Sequence, residues 1–141
     1  MEAAFFAYGT LALPEVMQAL TGRCFASGDA VLPGFARYRV RGRVYPGVIA
    51  EPGGETAGQL YAGLDAATLA LLDRFEGELY ERRGLPVRTG AGASARAEVY
   101  VVRETLLGAL SREPWSPEDF VARELARYLE ACRAFHAAAR R

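Results

Sequence analysis

The sequence predicts an antiparallel sheet with flanking helices, folded as one domain over residues 1–141. Three observations predict it. An apolar run, Ala3-Ala4-Phe5-Phe6-Ala7-Tyr8, opens the chain as a buried strand would. A middle stretch from Phe25 to Leu64 alternates in character and is punctuated by Pro33-Gly34, Pro46-Gly47 and Pro52-Gly53-Gly54. Two further stretches, one after Asp65 and one after Ser116, repeat their apolar residues at helical spacing. At 141 residues the chain is long enough for one real core and too short for two ordinary ones. Hydrophobic residues at 51% and charged residues at 24% match ordinary globular proteins.

The elements follow in order. After the first strand, Gly9-Thr10 makes a turn and Pro14 opens a short helix through about Leu20, because proline suits the first helical position. The proline and glycine pairs of the middle predict several short antiparallel strands. Asp65 caps a helix carrying Leu69, Leu72 and Phe75 and stopping at Gly77, which puts Glu76 at the helix end. Two strands, around Leu85 to Thr89 and Ala97 to Arg103, are joined by the Gly- and Ala-rich link 90–95 as a hairpin. Ser116-Pro117-Glu118-Asp119 is a helix start with cap, first-position proline and acidic first turn in register. Val121, Leu125, Tyr128, Cys132 and Phe135 then form one apolar stripe on a helix of about five turns. The core is expected over about residues 3–103 and this amphipathic helix over about 117–138. The helix must pack on the sheet or on a second subunit, so a homodimer is one of its two outlets.

The inventory of reactive side chains excludes several chemistries. All seventeen basic residues are Arg, so Schiff-base and phosphate-loop lysine chemistry are absent. One His, His136, and two Cys, Cys24 and Cys132, are too few and too scattered for a zinc cluster, and no metal or cofactor is expected. His136 reads as a helix-end residue and the cysteines as small, unpaired core residues. No apolar stretch reaches the roughly 18 residues of a membrane span, and Met1-Glu2 supplies no basic flank to the first apolar run. A cytoplasmic protein without a membrane partner is the expectation.

Gly90-Ala91-Gly92-Ala93-Ser94-Ala95 has the letters of a dinucleotide fingerprint, but a strand pattern follows it where the fingerprint requires a helix. Arg37, Arg39, Arg41 and Arg43 alternate, so a strand here would set four guanidinium groups about 7 Å apart on one face. The formal net charge of zero argues against a nucleic-acid partner and for pairing with acids such as Glu51 or Glu55. Glu76 is the candidate of chemical interest. A carboxylate at a helix C-terminus meets the negative pole of the helix, its pKa is pushed upward, and it suits general-base work. Tyr8-Gly9-Thr10-Leu11 is a turn whose free amides could hold an anion.

These pieces, Tyr8-Gly9-Thr10-Leu11, Leu32-Pro33-Gly34-Phe35, Tyr45-Pro46-Gly47, Gly58-Gln59-Leu60-Tyr61 and Leu72-Asp73-Arg74-Phe75-Glu76-Gly77 with Tyr80 and Arg82, stand in an order that resembles the gamma-glutamylcyclotransferase-like, or AIG2-like, family. The resemblance runs from about Phe6 to Val102. It implies a small α+β fold whose mixed sheet curls into a partial barrel. It also implies a γ-glutamyl site lined by Tyr8, Gly9, Thr10 and Leu11, with Glu76 as the catalytic acid and base. The implied reaction closes 5-oxoproline by attack of the substrate's own α-amine and releases an amine. Tyr45, Arg82 and Tyr100 are further substrate-contact candidates, while Tyr80 is expected to pack. The turn amides and the helix N-terminus at Pro14 are the expected carboxylate site. Short loops favour a γ-glutamyl amine or isopeptide over glutathione, and a non-catalytic binding or scaffold protein on the same fold is the alternative.

Overall fold

The structure, a computed structural model, describes residues 2–140. Within them strands β1 (Ala3–Ala7), β2 (Ser27–Arg39), β3 (Pro46–Leu64), β4 (Tyr80–Thr89) and β5 (Ser94–Val102) close into a barrel in the order β1-β3-β2-β4-β5. Closure comes from the one parallel contact, where Phe5 of β1 lies beside Glu98 of β5; the other neighbours are antiparallel. The fold is thus α+β with a mixed sheet, and the barrel is closed where the resemblance implied a partial one. Helices α1 (Pro14–Thr21), α2 (Ala66–Glu76), α3 (Pro117–Arg123) and α4 (Leu125–Ala139) complete it.

β1 sits between two neighbours and faces protein on both sides, which is why it reads as an unbroken apolar run with Phe5, Phe6 and Ala7 all buried. The middle of the chain departs from expectation. Instead of several short strands, β2 and β3 run for 13 and 19 residues as one long hairpin. Pro33-Gly34 and Pro52-Gly53-Gly54 do not end these strands. They fall at a single register shift, where residues 51–54 of β3 stand opposite Gly34, and the missing proline amides and flexible glycines serve a bulge that bends the sheet toward closure.

α2 begins as the sequence indicates, with the Asp65 carboxylate accepting from the Thr68 amide at 2.8 Å. It ends on Glu76 because Gly77 takes φ 72°, a left-handed conformation that stops the helix and turns the chain toward β4. Gly90–Ala93 form the tight link between β4 and β5, closed by Thr89 N–H donating to Ala93 O at 2.8 Å, so no nucleotide fingerprint is present.

The C-terminal region is broken where one helix was expected. At Glu124 the backbone leaves helical geometry, with φ −123°, and separates α3 from α4. The break changes which face is buried: Val121, expected on the stripe, is exposed, and Phe120 points inward to meet Trp115 and Tyr128 at centroid distances of 5.8 and 5.1 Å. Leu125, Tyr128, Cys132 and Phe135 keep the stripe along α4, which packs on α1 and on the end of α2 rather than on the sheet. His136 belongs to that packing, its Nδ1 lying 3.0 Å from Leu20 O. Cys132 is buried and Cys24 exposed, both as free thiols.

The arginine row is also redistributed. β2 ends at Arg39, so Arg41 and Arg43 lie in the following turn and no four-guanidinium face forms. Arg39 pairs with Glu113 at 2.6 Å, and Arg41 Nε donates to Gly108 O at 3.3 Å. The acids expected as partners are engaged elsewhere, Glu51 by Tyr38 and Glu55 by Arg88. Among the described residues no helix is long and apolar enough to cross a membrane.

Candidate active site

β1 ends at Ala7, and the chain turns at Tyr8-Gly9 into a 3-10 turn, Thr10–Ala12, before Pro14 starts α1. The first bond of this turn is Ala12 N–H to Gly9 O, at 3.0 Å, so the Thr10 and Leu11 amides head it without an intrahelical acceptor. Gly9 is required here by space: a Cβ on it would stand 2.9 Å from the Pro46 ring. Tyr61 Oη donates to Leu11 O at 2.7 Å and pins the far end of the turn to β3.

The end of α2 faces this turn across a cavity of about 260 Å³. Tyr8, Gly9, Thr10 and Leu11 line it from one side and Phe75 and Glu76 from the other. Tyr45 and Pro46 enter from the start of β3, Tyr80 and Tyr100 from the barrel wall, and Tyr128 from α4. Most of these tyrosines act as braces. Tyr8 Oη donates to Tyr100 O at 2.6 Å, Tyr80 Oη to Pro46 O at 2.6 Å, and Tyr100 Oη to Asp73 Oδ1 at 2.7 Å. Burial holds all of their phenols well above the usual range, so they stay neutral donors. Tyr128 differs: its oxygen accepts from Thr10 Oγ1 at 3.1 Å, which leaves its own proton for another acceptor.

Glu76 is the one carboxylate on the cavity wall. It makes no hydrogen bond or ion pair among the described residues, and burial pushes its pKa up to about 8. The direction matches the expectation, and burial supplies a cause that the sequence did not show. Lost hydration raises this pKa, with no contribution from the helix pole needed. The side chain retains some accessible surface because it faces the cavity, while the closely packed protein around it removes most of its water. Its charge is felt by Tyr8, Tyr80, Tyr100, Tyr128 and the Cys132 thiol, which places it at the centre of the group.

Of the residues singled out from the sequence, Glu76, Tyr8, Gly9, Thr10, Leu11, Tyr45 and Tyr100 meet in this cavity. Arg82 does not. Its Nε and Nη2 donate to Asp73 at 2.8 and 3.2 Å and Nη1 donates to Glu98, so the guanidinium is spent on a clamp along the barrel wall. Pro14 is likewise absent from the wall, so of the two parts expected to hold a carboxylate only the turn lines the cavity. Tyr80 packs, as expected, yet its ring also faces the cavity. Tyr128, Phe75 and Pro46 were not among the expected site residues, although Phe75 and Pro46 stand within the pieces that carry the resemblance; Tyr128 is one member of an apolar stripe until α4 folds back against Phe75, 6.2 Å between ring centroids.

The family model described as gamma-glutamyl cyclotransferase, AIG2-like, matches residues 5–119. Two Arabidopsis thaliana relatives are AIG2-like protein C, 36% identical over 82% of this chain and 72% of its own length, and AIG2-like protein B, 35% identical over 67% and 56%. Among solved structures, the solution structure of an Arabidopsis thaliana protein superposes with a TM-score of 0.72 at 25% identity, covering 95% of this chain and 81% of that one. A structure named gamma-glutamyl cyclotransferase superposes with a TM-score of 0.65 at 19% identity, covering 95% and 88%, a likeness of fold.

Proposed function

The chain belongs to the gamma-glutamyl cyclotransferase, AIG2-like family, and from that membership and its cavity we propose that it releases 5-oxoproline and a free amine from a γ-glutamyl amine or isopeptide. The observation that carries this reading is an unpaired carboxyl, Glu76, with its pKa pushed up to about 8, on the wall of a small cavity that the Tyr8–Leu11 turn also lines. A general base works best when its pKa lies near the operating pH and near that of the group it deprotonates. A substrate ammonium is such a group, and it also supplies the positive charge that the cavity lacks.

In the proposed reaction the Thr10 and Leu11 amides hold the substrate α-carboxylate. Glu76 takes a proton from the α-ammonium, and the freed nitrogen attacks the γ-carbonyl carbon to close a five-membered ring. The tetrahedral centre collapses as its bond to the departing nitrogen breaks; Glu76 returns the first proton to that nitrogen and then relays to it the second proton, which the ring nitrogen sheds, so the amine leaves as an ammonium and Glu76 is again a carboxylate. No protein nucleophile is consumed. The braced tyrosines contribute rigidity, since holding amine and carbonyl in attack geometry supplies several kcal/mol of such a barrier.

Release of 5-oxoproline from a panel of γ-glutamyl amines and isopeptides, followed by chromatography, tests the reading. Turnover of at least one member is expected. Binding of 5-oxoproline with no turnover of any member would leave a non-catalytic binding protein on the same fold.

A further inference from the structure

A second and larger groove, of about 530 Å³, shares the Tyr8-Gly9 turn with the cavity but includes none of Glu76, Tyr100 or Tyr128. Its walls are apolar, built from Leu13, Ala30, Val31, Ala57, Trp115 and Pro117. Three charged side chains reach it, and two are already engaged. Asp29 accepts from Gln59 Nε2 at 2.5 Å, and Arg88 pairs with Glu55 at 2.8 Å.

Arg37 is the third. Its Nη1 donates to Tyr8 O at 2.7 Å and its guanidinium lies 5.4 Å from the centroid of the Trp115 ring. Neither contact is with an anion, and it forms no ion pair with a carboxylate among the described residues. Burial opposes its charge and lowers its pKa, offset in part by the field of Glu118. Glu118 itself is exposed at the start of α3, where its carboxylate accepts from Ser116 Oγ at 3.3 Å. A guanidinium remains charged at neutral pH, so a half-buried one held against an aromatic ring presents its free N–H donors as a receptor for a planar anion.

We propose that this groove is a binding site for a small carboxylic acid with an apolar body, its carboxylate held by Arg37 and its body against the Trp115, Ala30 and Ala57 walls. A monoanion answers the one guanidinium of the groove that has no carboxylate partner, whereas a phosphate dianion would carry excess charge into an apolar slot and toward the Asp29 carboxylate. The volume is in the range of sites for ligands of that size. The site is separate from the Glu76 chemistry and stands or falls without it.

Trp115 is the only tryptophan of the chain, so intrinsic fluorescence reads this groove directly. The full chain is titrated at neutral pH with 3-phenylpropionate and with its uncharged analogue, 3-phenylpropanamide. A saturable change with the carboxylate, at least about tenfold tighter than with the amide, is expected from a charge-assisted contact. Arg37→Gln, with its fold checked by circular dichroism, is expected to lose that preference. No saturable change in the wild-type chain, or equal affinity for acid and amide, overturns the proposal, and those wild-type results decide even if the variant fails to fold. A folded Arg37→Gln that still prefers the carboxylate overturns it equally.

Discussion

Asp73 and Glu76 lie one turn apart on the same helix and show how the surroundings divide two carboxylates between two roles. Asp73 is exposed and fully engaged, accepting from Arg82 and from the Tyr100 hydroxyl. Its charge is answered in place, and it acts as a clamp that fixes one wall of the cavity. Glu76, three residues on, is answered by nothing. It faces a cavity lined by rings and backbone, and its proton is retained to about pH 8 because the charged form lacks both water and a counter-ion. A paired carboxylate builds structure, and an unpaired desolvated one is poised to exchange a proton.

The sharpest way to break this comparison is to remove proton exchange at Glu76 alone. Glu76→Gln should lower 5-oxoproline production by at least about a hundredfold, the lower end of the range for general acid-base groups. Binding of 5-oxoproline by calorimetry should persist. A variant that binds and turns over at the wild-type rate would take Glu76 out of the mechanism.

The second test is stability against pH. In the unfolded chain Glu76 loses its proton near 4.5, whereas in the folded chain it holds it to about 8. Between those values the folded state binds more protons, so stability falls as pH rises and levels off above about 8. Inside that window each pH unit costs at most about 1.4 kcal/mol. Glu76→Gln lacks this penalty, so denaturant melts should show the variant gaining on the wild-type chain from pH 5 to 8. Parallel pH profiles for the two would mean that Glu76 is not desolvated. In the wild type, kcat/KM should rise with pH, reach half its maximum near 8 and level off about a unit above.

Asp73→Asn should have a smaller effect and a different signature. The clamp on Tyr100 and Arg82 weakens, and turnover should drop by roughly tenfold, the scale of a single weakened hydrogen bond. The pH at which activity rises should stay in place, because in the proposed mechanism Asp73 does not exchange the proton. A displaced pH profile in this variant would merge the two roles that the proposed mechanism separates.

The smallest effect is expected far from both acids. Arg39→Ala with Arg41→Ala removes an exposed ion pair and one surface hydrogen bond, which together are worth about 1 kcal/mol or less. Turnover should stay within a few-fold. Salt-sensitive binding of DNA or RNA by the wild type, lost in this double variant, would give the arginines a role of their own.

Much of the fold was legible in the sequence because its signals are local. The Asp65 cap, Gly77 at the end of α2, Pro14 at the start of α1 and the apolar run of β1 each depend on a few neighbouring residues. The long β2–β3 hairpin was less legible, since a proline-glycine pair marks a strand end and a bulge alike until the partner strand is known. The break at Glu124 was hidden for a related reason. Val121 and Phe120 are both apolar, and only the position of Trp115 decides which of them turns inward.

The site divides in the same way. The sequence by itself named the two sides of the cavity, the Tyr8–Leu11 turn and Glu76, and its lack of lysine excluded lysine chemistry. Tertiary structure decided the rest: that Arg82 is held by Asp73 and Glu98, that Tyr128 lines the cavity from α4, and that burial raises the Glu76 pKa. A turn or a cap is fixed by bonds that span a few residues. The charge state of a carboxyl is fixed by the water it loses, and that depends on the side chains that β1, β3, α2 and α4 bring to one place from distant parts of the chain.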